Sequence, residues 1–133
     1  MVIGLDMYAF AVKPEKVREE DKDKEVGFES YYEIGQDEFW YWRKHPNLHG
    51  WMEKLYRRKG GTEEFNYQAV KLNEQDLMRL EKEIKERTLP STSGFFFGES
   101  RDDDDAIEQD LDFVAEARRQ LLLGNMIYYN SSW

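Results

Sequence analysis

The chain has 133 residues, of which 40% are hydrophobic, 15% aromatic and 35% charged, with 19 Lys and Arg against 28 Asp and Glu for a net charge of −9. That length fits a single domain burying roughly two thirds of its unfolded surface, and the acidic balance argues against direct nucleic-acid binding, which depends on cations meeting phosphates. The absence of cysteine excludes disulfides and thiolate metal sites, and no apolar run approaches the ~18 residues of a membrane-spanning helix.

The opening segment, Val2 to Val12, is rich in β-formers and loosely alternating, so it predicts a strand. It has no basic stretch and carries Asp6 inside its apolar run, which argues against a signal peptide and for a cytoplasmic location. The stretch 13–25, "KPEKVREEDKDKE", has five basic and six acidic residues and almost nothing to bury, the composition of an exposed connection. "VGFESYYEI", Val26 to Ile34, reads as a second strand of an antiparallel pair. Asp37 is a candidate N-cap. Phe39, Trp42, His45, His49, Met52 and Tyr56 follow at three- and four-residue steps, so a helix is expected, kinked or broken at Pro46 and ended by Gly60-Gly61.

"EFNYQAVKL", Glu64 to Leu72, predicts a short strand with its connection. Asn73 and Asp76 have the spacing of a capping arrangement, and Leu77, Leu80 and Ile84 mark a short helix that stops before Pro90. In "LPSTSGFFFGES", glycines flank Phe95 to Phe97, which predicts a tight turn feeding a short strand, with the hydroxyls of Ser91 to Ser93 at a pocket rim. Asp102 to Asp105 open the last helix, where its dipole favours negative charge. Ile107, Leu111, Val114, Arg118 and Leu121 continue this helix to Gly124, and "MIYYNSSW" closes the chain as a strand. The expected fold class is α+β: one domain over 1–133, an antiparallel sheet with about three helices packed on it.

"WYWRKHPNLHGW", Trp40 to Trp51, holds the residues best suited to a ligand. Arg43 and Lys44 supply cations for an anion, Trp42 a stacking ring and His49 a polar contact, and Ser91 and Ser93 add hydroxyls at the rim. The competing reading makes the tryptophans core, Arg43 and Lys44 solvated, and His49 a core histidine with one satisfied nitrogen. No metal site is expected. His45 and His49 have the spacing of half an HExxH helix, but Pro46 interrupts it and no glutamate follows His45. The acidic run "DDDDAIEQDLD" has Ile107 where an EF-hand loop requires glycine. No Walker A lysine or G-x-S-x-G elbow is present, so neither a cofactor nor a nucleophile is assigned.

Four stretches, "GLDMYAF", "FWYWRKHPNLHGW", "LPSTSGFFFG" and "YYNSSW", together resemble a family of small bacteriophage and prophage proteins with a GLDMY-like start, a YWRK helix and an LPxxSGFFFG segment. They cover about a third of the chain and are specific as a set. The resemblance implies a phage origin and lends no catalytic residue, and phage accessory proteins commonly act on host takeover or host defences. The expectation is therefore a non-catalytic binding protein of phage–host conflict, which sequesters a small anionic ligand or blocks a host protein. One alternative is an acidic DNA mimic presenting Asp102, Asp103, Asp104 and Asp105 to a host nucleic-acid-binding protein. A further alternative is a small hydrolase or transferase with His49 as base near Ser91 or Ser93.

Overall fold

Alternation in "DMYAFAV" builds strand β1 (Asp6–Val12), whose residues are buried on one face and half-buried on the other until Phe10. The computed structural model describes residues 4–27, 37–91 and 103–133. Strand β2 (Glu38–Arg43) is followed by helix α1 (Pro46–Arg58), strand β3 (Val70–Leu72), helix α2 (Glu74–Glu86), helix α3 (Asp104–Leu122) and strand β4 (Met126–Ser132). The four strands form one antiparallel sheet in the order β2-β1-β4-β3, and with the three helices this is the α+β domain expected.

The helix expected from Asp37 does not form at its first turns. Glu38 to Arg43 are β2, and Pro46 takes the first position of α1, where its missing N–H costs nothing, instead of kinking a helix interior. The pairing explains why the periodicity misled. The register shifts between Ala9 and Phe10, so that Ala9 faces Trp40 while Phe10 faces Glu38, and Phe39 is the extra residue of a bulge. The bulge lets Phe39, Trp40 and Trp42 all reach the ring of Phe113 on α3, at 5.9, 5.9 and 4.6 Å between centroids. Regular alternation would have sent Phe39 to the other face. The second expected strand, Val26 to Ile34, lies mostly outside the described residues; Val26 and Gly27, which are described, lie in a bend and not in a strand.

All three helices pack on one side of the sheet. Leu48, Trp51, Met52, Leu55 and Tyr56 of α1 join Leu77, Leu80 and Ile84 of α2 and Phe113, Val114 and Ala117 of α3. They close over Met7, Ala9, Val70, Leu72, Ile127 and Tyr129 of the sheet. Helix α2 starts with the capping box that Asn73 and Asp76 suggest: Asp76 N–H donates to the Asn73 side chain at 2.8 Å and Asn73 N–H to the Asp76 carboxylate at 3.0 Å. Helix α3 ends at Gly124, whose φ of +91° is the left-handed conformation glycine adopts cheaply.

The connection 13–25 is less open than its composition implies. Val17 is buried with Phe10, Val12, Ala69 and Tyr128 in a second, smaller cluster on the far side of the sheet, and Asp21 is buried as well. Backbone and side chains anchor the stretch to β3: Lys71 N–H donates to the Glu25 carbonyl and Lys71 Nζ to the Lys22 carbonyl. Lys59, at the end of α1, meets the carboxylates of both Glu25 (2.9 Å) and Asp76 (2.6 Å). Val17 thus adds an apolar anchor on the sheet's far face to these polar ties.

Candidate functional site

The chain reverses from β2 into α1 over two residues, and that junction forms one wall of a cavity. Lys44 adopts φ +60°, uncommon for a side chain outside glycine, and its N–H donates to the Leu5 carbonyl at 2.9 Å. His45 caps α1 with its backbone carbonyl, which accepts from His49 N–H, and sends its ring across to α3. There His45 Nε2 lies 2.8 Å from Asp110 Oδ2, both side chains largely buried. Asp110 falls on the same face of α3 as Phe113, Val114 and Ala117, so it is carried inward by the core face of the helix while the other acids stay outside.

A cavity of about 220 Å³ opens beside this pair. Trp40 and Trp42 form its aromatic wall, Arg43 and Lys44 its cationic edge, and Ala106, Gln109 and Asp110 of α3 its floor. Trp42 is 9% exposed, and its indole N–H has no hydrogen-bond partner among the described residues. On the other side of the His45–Asp110 pair lies a smaller cavity of about 90 Å³, reached from Asn47, Arg87, Leu89 and Ile107. Among the described residues neither Arg43 nor Lys44 makes a salt bridge, whereas Arg57, Lys59, Arg79 and Lys85 do. The arrangement suits an anionic ligand with a planar group: two cations, aromatic faces, an amide and an imidazole around one opening.

The residues singled out in the sequence distribute unevenly. Trp42, Arg43 and Lys44 come together at the cavity. His49 does not line it. Its side chain is 1% exposed, its Nδ1 lies 2.8 Å from the Tyr129 hydroxyl, and its ring packs 5.1 Å from that of Phe65. Burial pushes the His49 imidazole down from 6.5 to about 4 and the Tyr129 hydroxyl well up, so at neutral pH both are uncharged and share one buried hydrogen bond. That is the core-histidine arrangement. Ser91 is exposed, and Ser93 lies outside the described residues.

The acidic run divides in the same way, with Asp102 outside the described residues. Asp103 is the N-cap of α3, accepting from Ala106 N–H at 2.9 Å. Asp104 pairs with Arg87 at 2.8 Å, Asp105 is exposed in the first turn, and Asp110 is committed to His45. Among the described residues no group of three His, Asp or Glu side chains is placed to hold a metal ion, because His45 and His49 point to different partners. Among the same residues no helix is long and apolar enough to cross a membrane.

Three of the four stretches singled out together in the sequence are neighbours in space. Met7 of β1 pairs with Trp42 on one side and Ser131 on the other, and His49 reaches Tyr129. The terminal Trp133 is packed against the core, its indole N–H donating to the Phe65 carbonyl at 2.9 Å, while Asn66 bonds its backbone through both amide atoms. The fourth stretch, around Phe95 to Phe97, lies outside the described residues. Sequence reasoning missed the His45–Asp110 pair and Gln109. The signal for Asp110 was its three- and four-residue spacing to Phe113, Val114 and Ala117, which marks it as the inward acid of the run. Comparison with family models, with curated proteins and with solved structures finds no match to this chain.

Proposed function

We propose that the protein binds a small anionic, nucleotide-like ligand without transforming it, as an accessory protein of phage type that withholds this ligand in phage–host conflict. The observation that carries the reading is the pair of cations Arg43 and Lys44, which make no salt bridge among the described residues, beside Trp40 and Trp42 at a cavity of about 220 Å³ in a chain of net charge −9. Cations next to an indole wall in an acidic protein favour phosphate and a stacked ring over a general polyanion surface. The phage setting is supported by the resemblance of the four stretches and not by the cavity. The DNA-mimic reading loses ground, since Asp103, Asp104 and Asp110 have structural partners within or beside α3.

Thermal unfolding with AMP, ATP and cyclic AMP tests the proposal. A ligand at about one hundred times its Kd adds about 2.7 kcal/mol and raises Tm by roughly 8 °C in a domain of this size. Arg43→Glu combined with Lys44→Glu should abolish the shift, and chromatography of the mixture should recover the nucleotide intact. A folded protein that none of the three stabilises would overturn the reading, and turnover of the nucleotide would replace binding with catalysis through His45 and Asp110.

A further inference from the structure

Successive side chains of a strand point to opposite faces, so a regular continuation of β2 would hold Arg43 and Lys44 apart. The backbone departs from that pattern at Lys44, which takes the left-handed conformation, φ +60°, with its N–H tied to the Leu5 carbonyl. Both side chains then lie against Gly4, the residue before Leu5. A Cβ placed on Gly4 would meet the Arg43 guanidinium at 3.3 Å and Lys44 Cε at 3.9 Å. A left-handed lysine is strained, and strain of this kind is kept where the surroundings impose it, above all at sites that hold a ligand.

Gly4 serves here by leaving space and not by its backbone. Its φ lies outside the left-handed region, so other residues could adopt its conformation. What a side chain would do is fill the room on which the two cations converge. Asp6 faces Arg43 in the strand register and accepts the Tyr41 hydroxyl hydrogen bond at 2.5 Å. Two cations set against that one carboxylate leave a small positive excess, which suits a single phosphate group better than a polyphosphate chain. Trp40 and Trp42 stand at the same opening, in reach of whatever the phosphate carries.

We infer that Gly4, Arg43 and Lys44 form a cradle for one phosphate group, in which Gly4 is a positioning residue that acts through the Arg43 guanidinium. The inference rests on the reading of the cavity as a nucleotide site and narrows its ligand to a nucleoside monophosphate. A guanidinium offers paired N–H donors to two phosphate oxygens, and an ammonium group can take a third. The base then has the indole wall to stack on. The bare backbone of Gly4 keeps the space between the two cations open for the phosphate.

Calorimetric titration of the full chain with AMP, adenosine, ATP and inorganic phosphate provides the test. AMP should bind about tenfold or more tighter than adenosine, and no weaker than ATP. Gly4→Val fills the cradle, so it should keep Tm, weaken AMP by about tenfold and leave adenosine unchanged. Gly4→Ala asks Arg43 to give by only a few tenths of an ångström and should weaken AMP less, which keeps the test open if the valine variant does not fold. In an Arg43→Ala background the loss caused by Gly4→Val should largely vanish, because it acts through that guanidinium. Unchanged AMP affinity in both Gly4 variants, equal losses for AMP and adenosine, or ATP binding tenfold tighter than AMP would overturn the cradle. Phosphate binding that depends on Gly4, with no binding of AMP, would keep the cradle and overturn the nucleotide reading. Binding of neither would overturn both.

Discussion

Acidification from about pH 7 to about pH 5 should destabilise the fold through His49 alone by about 2 kcal/mol. In the unfolded chain this imidazole takes up a proton near 6.5; in the fold, burial against Phe65 and Tyr129 pushes it down to about 4. Between those values the unfolded state carries one more proton than the native state, so stability is full above 6.5 and falls as pH drops. The slope approaches about 1.4 kcal/mol per pH unit, and the whole loss amounts to about 3 kcal/mol once the pH passes 4. Many of the 28 acidic residues titrate in the lower part of this range, so the effect is isolated by difference. His49→Gln keeps a hydrogen-bonding partner for the Tyr129 hydroxyl and removes the titration. Urea unfolding of both proteins at the two pH values gives the comparison: the native chain should lose about 2 kcal/mol more than the variant. Equal losses would refute the argument, because they would mean that the folded protein accommodates the charged imidazole as well as water does.

Three further substitutions probe the elements that place the site. Gly61→Ala would set a Cβ 2.3 Å from the Tyr56 ring, and the forced repacking should cost about 1–3 kcal/mol in urea unfolding; a neutral result would show that the turn after α1 gives way freely. Asn73→Ala removes one half of the capping box of α2 and should lower stability by about 1 kcal/mol, read as a shift of the urea midpoint at constant slope. Phe113→Ala takes away the ring on which Phe39, Trp40 and Trp42 converge, with an expected cost of about 3–5 kcal/mol and a changed tryptophan emission spectrum.

Local chemistry in the chain determined much of the scaffold. The Asn73–Asp76 cap, the apolar spacing of Leu77, Leu80 and Ile84, Gly124 at the end of α3 and the closing strand all follow from interactions within a few residues, and the structure has each of them. Residue type and neighbourhood also sufficed to nominate Arg43 and Lys44, and both line the cavity beside Trp40 and Trp42. The segment from Glu38 to Arg43 was not legible. Its aromatics sit at spacings that serve a helix as well as a bulged strand, and only pairing with β1 and the ring of Phe113 chooses between the two. The histidines divide on the same principle. His45 and His49 are four residues apart in one sequence pattern, yet one bonds a carboxylate 65 positions away and the other a hydroxyl 80 positions away. Contacts at that separation depend on how α3 and β4 pack against α1, and no local periodicity encodes which partner a buried imidazole will meet.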